Sequence, residues 1–190
     1  MKLTRFFGMF LTLCAAGLLL QANAGAHNAA HQSESPMQFF SSGDFVDDAS
    51  SKLVRTKKTI TMTIHTNSLL PGGAYTNWWV LFNRPSACAA NPCSLGDLGT
   101  PAVGASVVFA TGHVVGGNGV GNFAAYITEG DTSGALFGPG LLDARGAEVH
   151  WIVRSHGPAI PALIHEQIST VGGACSINFC DDEQFSIHLP

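Results

Sequence analysis

The clearest hydrophobic pattern in the chain is the strict alternation from Thr59 to Ile64, where threonines alternate with Ile60, Met62 and Ile64. Successive side chains of a strand point to opposite faces, so this run predicts a strand with one buried and one exposed face. Residues 74–82 are almost continuously apolar instead. That pattern is typical of a strand buried on both faces.

Glycine and proline divide the rest of the chain into short β-rich runs. Further strands are predicted over residues 105–115, 122–128, 135–142, 147–155 and 184–189. The glycine-rich turn at 116–119 predicts that the first two of these form a hairpin. Residues 162–169 are the one helix-like segment.

Strands at roughly ten-residue spacing, with little helical periodicity, predict an all-β fold. We expect one domain, an antiparallel immunoglobulin-like β-sandwich of about seven to nine strands, over residues 52–190. Residues 25–51 are rich in Ala, Ser, Asn, Gln and Asp and show little periodicity. They are predicted to be a flexible leader.

Residues 1–24 have the pattern of a secretory signal peptide. Lys2 and Arg5 precede an apolar stretch over residues 6–20, and Ala22 and Ala24 place small residues at the positions before a cleavage site. The apolar stretch is short for a membrane span. We therefore expect a secreted or periplasmic protein with no transmembrane segment after cleavage.

The charge distribution restricts the class of partner. The chain carries a formal net charge of −4 at pH 7 and has no basic cluster. This argues against nucleic acid and against anionic membrane surfaces. A protein, another kind of surface or a small molecule remains as the partner.

Four cysteines outside the signal form two C-x4-C pairs, Cys88/Cys93 and Cys175/Cys180. In an exported protein such pairs predict disulfides. Pairing within each motif closes small loops, whereas pairing between the motifs closes a much longer one, and the Asn91-Pro92 turn favours local pairing. A zinc site built from all four thiolates is the alternative, although its usual spacing is C-x2-C.

Histidine is abundant for a chain with 12% charged residues. Strand alternation places His65, His150, His156 and His188 on polar faces, with Phe185 and its alternating apolar neighbours in the last strand facing inward. The four histidines are candidate copper or zinc ligands, since imidazole suits both metals. Exposed histidines without a ligand are the alternative, and in that case no cofactor is expected.

A candidate ligand site lies near the Gly-Pro segment that follows the strand over residues 147–155. Arg154 could clamp a carboxylate, with Trp151 and Glu166 contributing to a small carboxylate or sugar site. Structural ion pairs between Arg154 and a nearby glutamate are the alternative.

The sequence contains no recognisable catalytic motif, such as a G-x-S-x-G nucleophile elbow. Ser155 and His156 are adjacent and point to opposite faces of one strand, so they cannot form a dyad. These observations favour a non-enzymatic module that binds a partner or surface in the cell envelope or extracellular space. A histidine-liganded copper or zinc protein, in one form an oxidoreductase, is the alternative.

Five short runs resemble secreted bacterial β-domains of uncharacterised function, which are similar to the chordin-type (CHRD) domain. They are Thr61–Thr66, Leu70–Thr76 and Trp78–Asn83, which look like an early segment of these domains, and Glu148–His150 and Arg154–Pro158, which look like their later strands. The resemblance implies an extracellular immunoglobulin-like β-sandwich without a settled activity. The chain lacks the His-x-His strand common in that group, so no site residue is carried over.

Overall fold

The computed structural model of the chain describes residues 30–190, so the predicted signal peptide lies outside the described residues. Within this range the strands are β1 (His31–Phe39), β2 (Phe45–Arg55), β3 (Thr59–Thr66), β4 (Gly73–Phe82), β5 (Ala105–Val114), β6 (Gly121–Thr128), β7 (Ala135–Phe137), β8 (Glu148–Pro158) and β9 (Asp181–His188). One short helix, α1 (Ile164–Gln167), and two 3-10 turns, Pro85–Ala87 and Leu95–Gly99, complete the elements.

All strand pairs are antiparallel, and they form one curled sheet in the order β6-β3-β2-β1-β9-β8-β4-β5-β7. The prediction of a single all-β domain is confirmed. The strands are hydrogen-bonded into one continuous sheet, however, and not into the two separate sheets expected of a sandwich.

The two strands with the clearest sequence patterns behave as predicted. In β3 the residues Ile60, Met62 and Ile64 are buried while the intervening side chains are largely exposed. Every residue of β4 is buried. These strands therefore owe their position to burial of apolar surface on one face and on two faces respectively.

The predicted flexible leader over residues 25–51 is wrong for the part that the structure describes. This segment contains the whole of β1 and the first residues of β2, and β1 lies in the middle of the sheet between β2 and β9. Its backbone is paired with β2 from His31 opposite Arg55 to Gln38 opposite Phe45. Backbone hydrogen bonds to the neighbouring strands keep this polar segment in the sheet, and its fully buried residue, Met37, packs into the core.

The main core fills the inside of the curled sheet. Its members include Met37, Leu53, Ile60, Met62, Tyr75, Trp79, Leu81, Phe123 and Trp151. The two indole rings of Trp79 and Trp151 meet edge to face with centroids 4.6 Å apart. Such pairs add to the stabilisation that the buried area gives.

The predicted hairpin between β5 and β6 does not form. β6 pairs with β3 along its whole length, and β5 pairs with β4 and β7. The glycine-rich segment between them instead crosses from one end of the sheet to the other. Because the sheet curls, the two strands still come close to each other, and the rings of His113 and Phe123 stack between them with centroids 4.4 Å apart.

A second, smaller core lies on the outer face of β4 and β8. Trp78, Val80, Phe82 and Ile152 form its base. The loop over residues 83–104, which carries the first cysteine pair, packs on this base through Cys93 and other residues. This cover explains why β4 is buried on both faces.

The predicted orientation of β9 is wrong. Gln184, Ser186 and His188 face the interior and are buried, while Phe185 packs on the outer core. The interior accepts these polar groups because it supplies partners: Thr66 donates to Gln184 over 2.5 Å, and serines on two other strands bond to His188. Buried polar groups are tolerated where hydrogen bonds replace those to water.

Both predicted disulfides are present, each within its own C-x4-C motif. The Cα atoms of Cys88 and Cys93 are 5.4 Å apart, and those of Cys175 and Cys180 are 5.3 Å apart. Local pairing is therefore confirmed. In the part of the chain that the structure describes, no helix has the length and apolar character to span a bilayer.

Candidate functional site

An apolar pocket of about 210 Å³ opens on the outer face of the sheet. It is lined by Phe40, Trp78, Val80, Leu95, Leu98, Val107, Leu136, Ile152, Arg154, Val171 and Asp182. β4 and β8 provide the base, and the two loops that carry the cysteine pairs rise on either side of it. The pocket therefore forms because the two loops pack on this face of the sheet and leave part of it uncovered.

Arg154 lies at the charged rim of this pocket. Its Nη1 donates to Oδ1 of Asp182 over 2.7 Å, and its Nε donates to the carbonyl of Val171 over 3.1 Å. Both charged side chains are partly exposed, so the ion pair contributes at most about 1 kcal/mol to stability. Its main effect is to hold the guanidinium beside the apolar surface.

Glu148 and His150 form a buried pair under the first disulfide loop. Nε2 of His150 lies 2.6 Å from Oε1 of Glu148, and the same oxygen accepts the backbone N–H of Cys93 over 2.8 Å. The ring of Phe82 packs on His150 with centroids 4.9 Å apart. The carboxylate thus connects β8 to the disulfide loop, which orients the imidazole at the same time.

His188 lies inside the curled sheet between two hydroxyl groups. Nδ1 is 2.8 Å from Oγ of Ser33, and Nε2 is 2.8 Å from Oγ of Ser51. The hydroxyl of Ser51 donates to the carbonyl of Ser35, so it accepts from Nε2–H and fixes the tautomer. Burial, and then the electrostatic effects of Arg55 and His150, lower the pKa of His188 to about 4.

Arg55 is a buried cation next to His188 and is only 1% exposed. Nη1 donates to the carbonyls of Ala144 and Ala147, and Nη2 donates to those of His188 and Leu189. Burial lowers its pKa, and the charge of Asp143 counteracts this in part. Arg55 therefore ties the chain terminus and the loop before β8 to the interior.

His156 on β8 is fully buried beneath the second disulfide. Nε2 lies 2.8 Å from Oγ1 of Thr76, and Nδ1 lies 2.8 Å from the carbonyl of Gly173. Nδ1 is also 3.5 Å from Sγ of Cys180 and 3.8 Å from Sγ of Cys175. Burial, as the largest cause, lowers the pKa of His156, which favours the neutral ring.

The structure does not bring the four predicted metal ligands together. His65 is exposed on the outer face and bonds to Asn122 over 2.8 Å, while His150, His156 and His188 lie in the three separate settings described above. Within residues 30–190, one group of three or more side chains has metal-ligand spacing, and it consists of His156, Cys175 and Cys180. The two cysteines of this group are bonded to each other.

The three predicted ligand-binding residues are also separated. Arg154 lines the outer pocket, but Trp151 is fully buried in the interior, where its Nε1 donates to Oδ1 of Asn77 over 2.7 Å. Glu166 is exposed on α1. The alternation that predicts Trp151 on the apolar face of β8 agrees with this position.

Sequence reasoning missed two sets of residues. One is the apolar base of the pocket, Trp78, Val80 and Ile152; its signals are the continuous apolar run of β4 and the single apolar residue Ile152 among the polar residues that alternate along β8. The other is the contact of His156 with the second disulfide. Its residues are far apart in sequence, and no spacing in the chain indicates that the loop folds back over β8.

Comparison of the chain with protein-family models, curated proteins and solved structures finds no match. The resemblance to the chordin-type domain therefore stays a prediction.

Proposed function

We propose that this chain is a secreted or periplasmic, non-enzymatic module that binds a protein partner through the apolar pocket on the outer face of its sheet. The observation that carries the proposal is this pocket, with Trp78 and Ile152 at its base and Arg154 at its rim. The signal-like N-terminal residues and the two disulfides support an oxidising compartment outside the cytoplasm.

The size of the pocket favours a side chain as its occupant. Pockets for drug-sized molecules usually enclose about 300–1,000 Å³. A volume of about 210 Å³ suits one apolar side chain, which is how anchor residues of protein partners bind.

The surroundings of the pocket also favour a protein surface. Leu95 is 49% exposed, Leu136 is 48% exposed and Val171 is 38% exposed, and all three line the opening. Apolar residues grouped around a pocket with a charged rim are typical of an interaction site. An anchor side chain would enter the pocket while its backbone lies across these three residues.

The experiment is an NMR titration of the purified protein with N-acetyl amino acid amides. Leucinamide and phenylalaninamide should shift the indole N–H of Trp78 and the methyl signals of Leu136 and Val171, with a Kd of roughly 1 mM. Serinamide should shift none of them. The indole N–H of Trp151 is the internal control, because it faces the interior.

Leu136→Asp should weaken this binding at least tenfold, since it places a carboxylate at the opening. Leu142→Asp is the matched control, because Leu142 is similarly exposed, at 46%, and does not line the pocket. Equal binding by the two variants, or shifts that do not depend on the apolar side chain, would contradict the proposal.

A further inference from the structure

The contact between His156 and the second disulfide brings three potential metal ligands close together, at nitrogen-to-sulfur distances near those of a zinc site. In tetrahedral zinc sites the Zn–S bond is about 2.3 Å and the Zn–N bond is about 2.0–2.1 Å, which places ligand nitrogen and sulfur about 3.6 Å apart. Nδ1 of His156 already lies 3.5 Å from one cysteine sulfur and 3.8 Å from the other. The two sulfurs, now bonded to each other, would have to move apart, and the carbonyl of Gly173, which accepts from Nδ1–H over 2.8 Å, would have to give up this contact.

His156 also has the outer partners of a metal-ligating histidine. Its Nε2 faces Oγ1 of Thr76, and Nε1 of Trp78 donates to the same hydroxyl oxygen over 2.9 Å. Metal-ligating imidazoles are held in this way through the ring nitrogen that does not bind the metal. In the oxidised protein Nδ1–H donates to the carbonyl of Gly173; with a metal on Nδ1 the ring proton would lie on Nε2 and face Thr76.

The second disulfide is open to a reductant. Cys175 and Cys180 are both half-buried at the surface, and Ile177 and Phe179 between them are 67% and 82% exposed. The loop that connects the two cysteines is therefore not packed into the core. Its sulfurs can separate while β8 keeps His156 in place.

We propose that reduction of the Cys175–Cys180 disulfide creates a zinc site formed by the two cysteine thiolates and Nδ1 of His156. A dithiol reductant supplies two electrons and two protons, so the S–S bond breaks, two thiols form and the reductant becomes a disulfide. Zn²⁺ then displaces the two thiol protons to solvent. In the oxidised protein the same sulfurs bind no metal, so occupancy of the site reports the redox state of this loop.

The other cysteine pair provides a matched control. Cys88 and Cys93 have the same C-x4-C spacing and are also bonded, but they belong to no group of metal-ligand spacing within residues 30–190. Any zinc uptake caused only by free thiols should therefore be the same for both pairs.

The test measures Zn²⁺ affinity by competition with a chromophoric chelator, before and after reduction with a phosphine, which donates no thiol ligand. The reduced wild-type protein and the reduced Cys88→Ser/Cys93→Ser variant should bind one Zn²⁺ per chain with the same Kd. The oxidised protein and the reduced Cys175→Ser/Cys180→Ser variant should not. Co²⁺ in place of Zn²⁺ should give sulfur-to-cobalt charge-transfer absorption in the first two proteins only.

Two variants that retain all the cysteines distinguish zinc binding by a folded site from unspecific zinc binding by free thiols. Thr76→Val should weaken zinc binding by roughly 10- to 100-fold, as expected for loss of an outer partner, and His156→Gln should weaken it further. Near-ultraviolet circular dichroism checks that each reduced variant keeps its tryptophan packing. Unchanged affinity in both variants, or no zinc uptake by the reduced wild-type protein, would overturn the proposal.

Discussion

The buried position of His188 leads to a specific pH dependence of stability. Its ring accepts a hydrogen bond at Nδ1 from Ser33 and donates one from Nε2 to Ser51, so the neutral form satisfies both nitrogens. A proton on Nδ1 would displace the hydroxyl hydrogen of Ser33 and place a positive charge beside Arg55 and His150. The folded protein therefore resists protonation of this residue.

The size of this pH effect on the free energy of unfolding follows from the difference between the pKa of His188 in the folded and unfolded states. The pKa is lowered from 6.5 to about 4, so in this window the unfolded chain takes up a proton that the folded protein does not. The stabilisation is fully present above pH 6.5 and is lost as the pH falls toward the folded pKa. One pKa unit corresponds to about 1.4 kcal/mol, so we expect a loss of about 3 kcal/mol by pH 4.

Urea unfolding at a series of pH values measures this loss in the wild-type protein and in His188→Gln. Glutamine keeps a donor and an acceptor but does not titrate. Carboxylates and histidines that do not interact with His188 affect both proteins alike, so they cancel in the difference between the two free energies of unfolding. We expect that difference to change by about 3 kcal/mol between pH 7 and pH 4. A difference that stays constant over this range would refute the reasoning.

Three further predictions concern the stability of strands and loops outside the pocket. Gly112→Ala should lower the free energy of unfolding by about 1–3 kcal/mol or more, because the added Cβ would meet two backbone carbonyl oxygens. Gly117→Ala is the control and should have little effect, because no atom lies within 4 Å of a Cβ at that position. Equal denaturation midpoints for the two variants would contradict this prediction. Glu148→Ala should lower the free energy of unfolding by about 1–3 kcal/mol, because it leaves the buried N–H of Cys93 without an acceptor. Glu148→Gln keeps an acceptor oxygen, so in the same denaturation assay it should retain most of the stability that the alanine variant loses. Replacing Cys88 and Cys93 by serine should lower stability by about 2 kcal/mol, and a loss near 4 kcal/mol in chemical denaturation would show that more than loop closure is involved.

Much of the β structure could be predicted because it depends on short-range patterns. The alternation in β3 and the continuous apolar run of β4 are properties of a few consecutive residues, and burial follows from them directly. β1 was missed for the opposite reason. Its residues are mostly polar, and its place in the sheet depends on backbone hydrogen bonds to β2 and β9, which no composition shows.

The candidate sites were less accessible to such reasoning. The alternation of β9 was recognised, but alternation alone does not say which face is inside. Ser51 and Thr66 supply partners that make the polar face the buried one. The four histidines lie in different parts of the structure. Even His150 and His156, which are both on β8, lie under two different disulfide loops.

The sequence by itself determined that the chain is an all-β domain with two local disulfides, because strand alternation, apolar runs and C-x4-C spacing act over a few residues. Only the tertiary structure decided which face of each strand is buried and which distant residues meet. The pocket over Trp78 and Ile152 and the contact of His156 with Cys175 and Cys180 both arise where loops pack on the sheet. Such contacts depend on how the sheet curls and where its loops return, and these are properties of the whole chain.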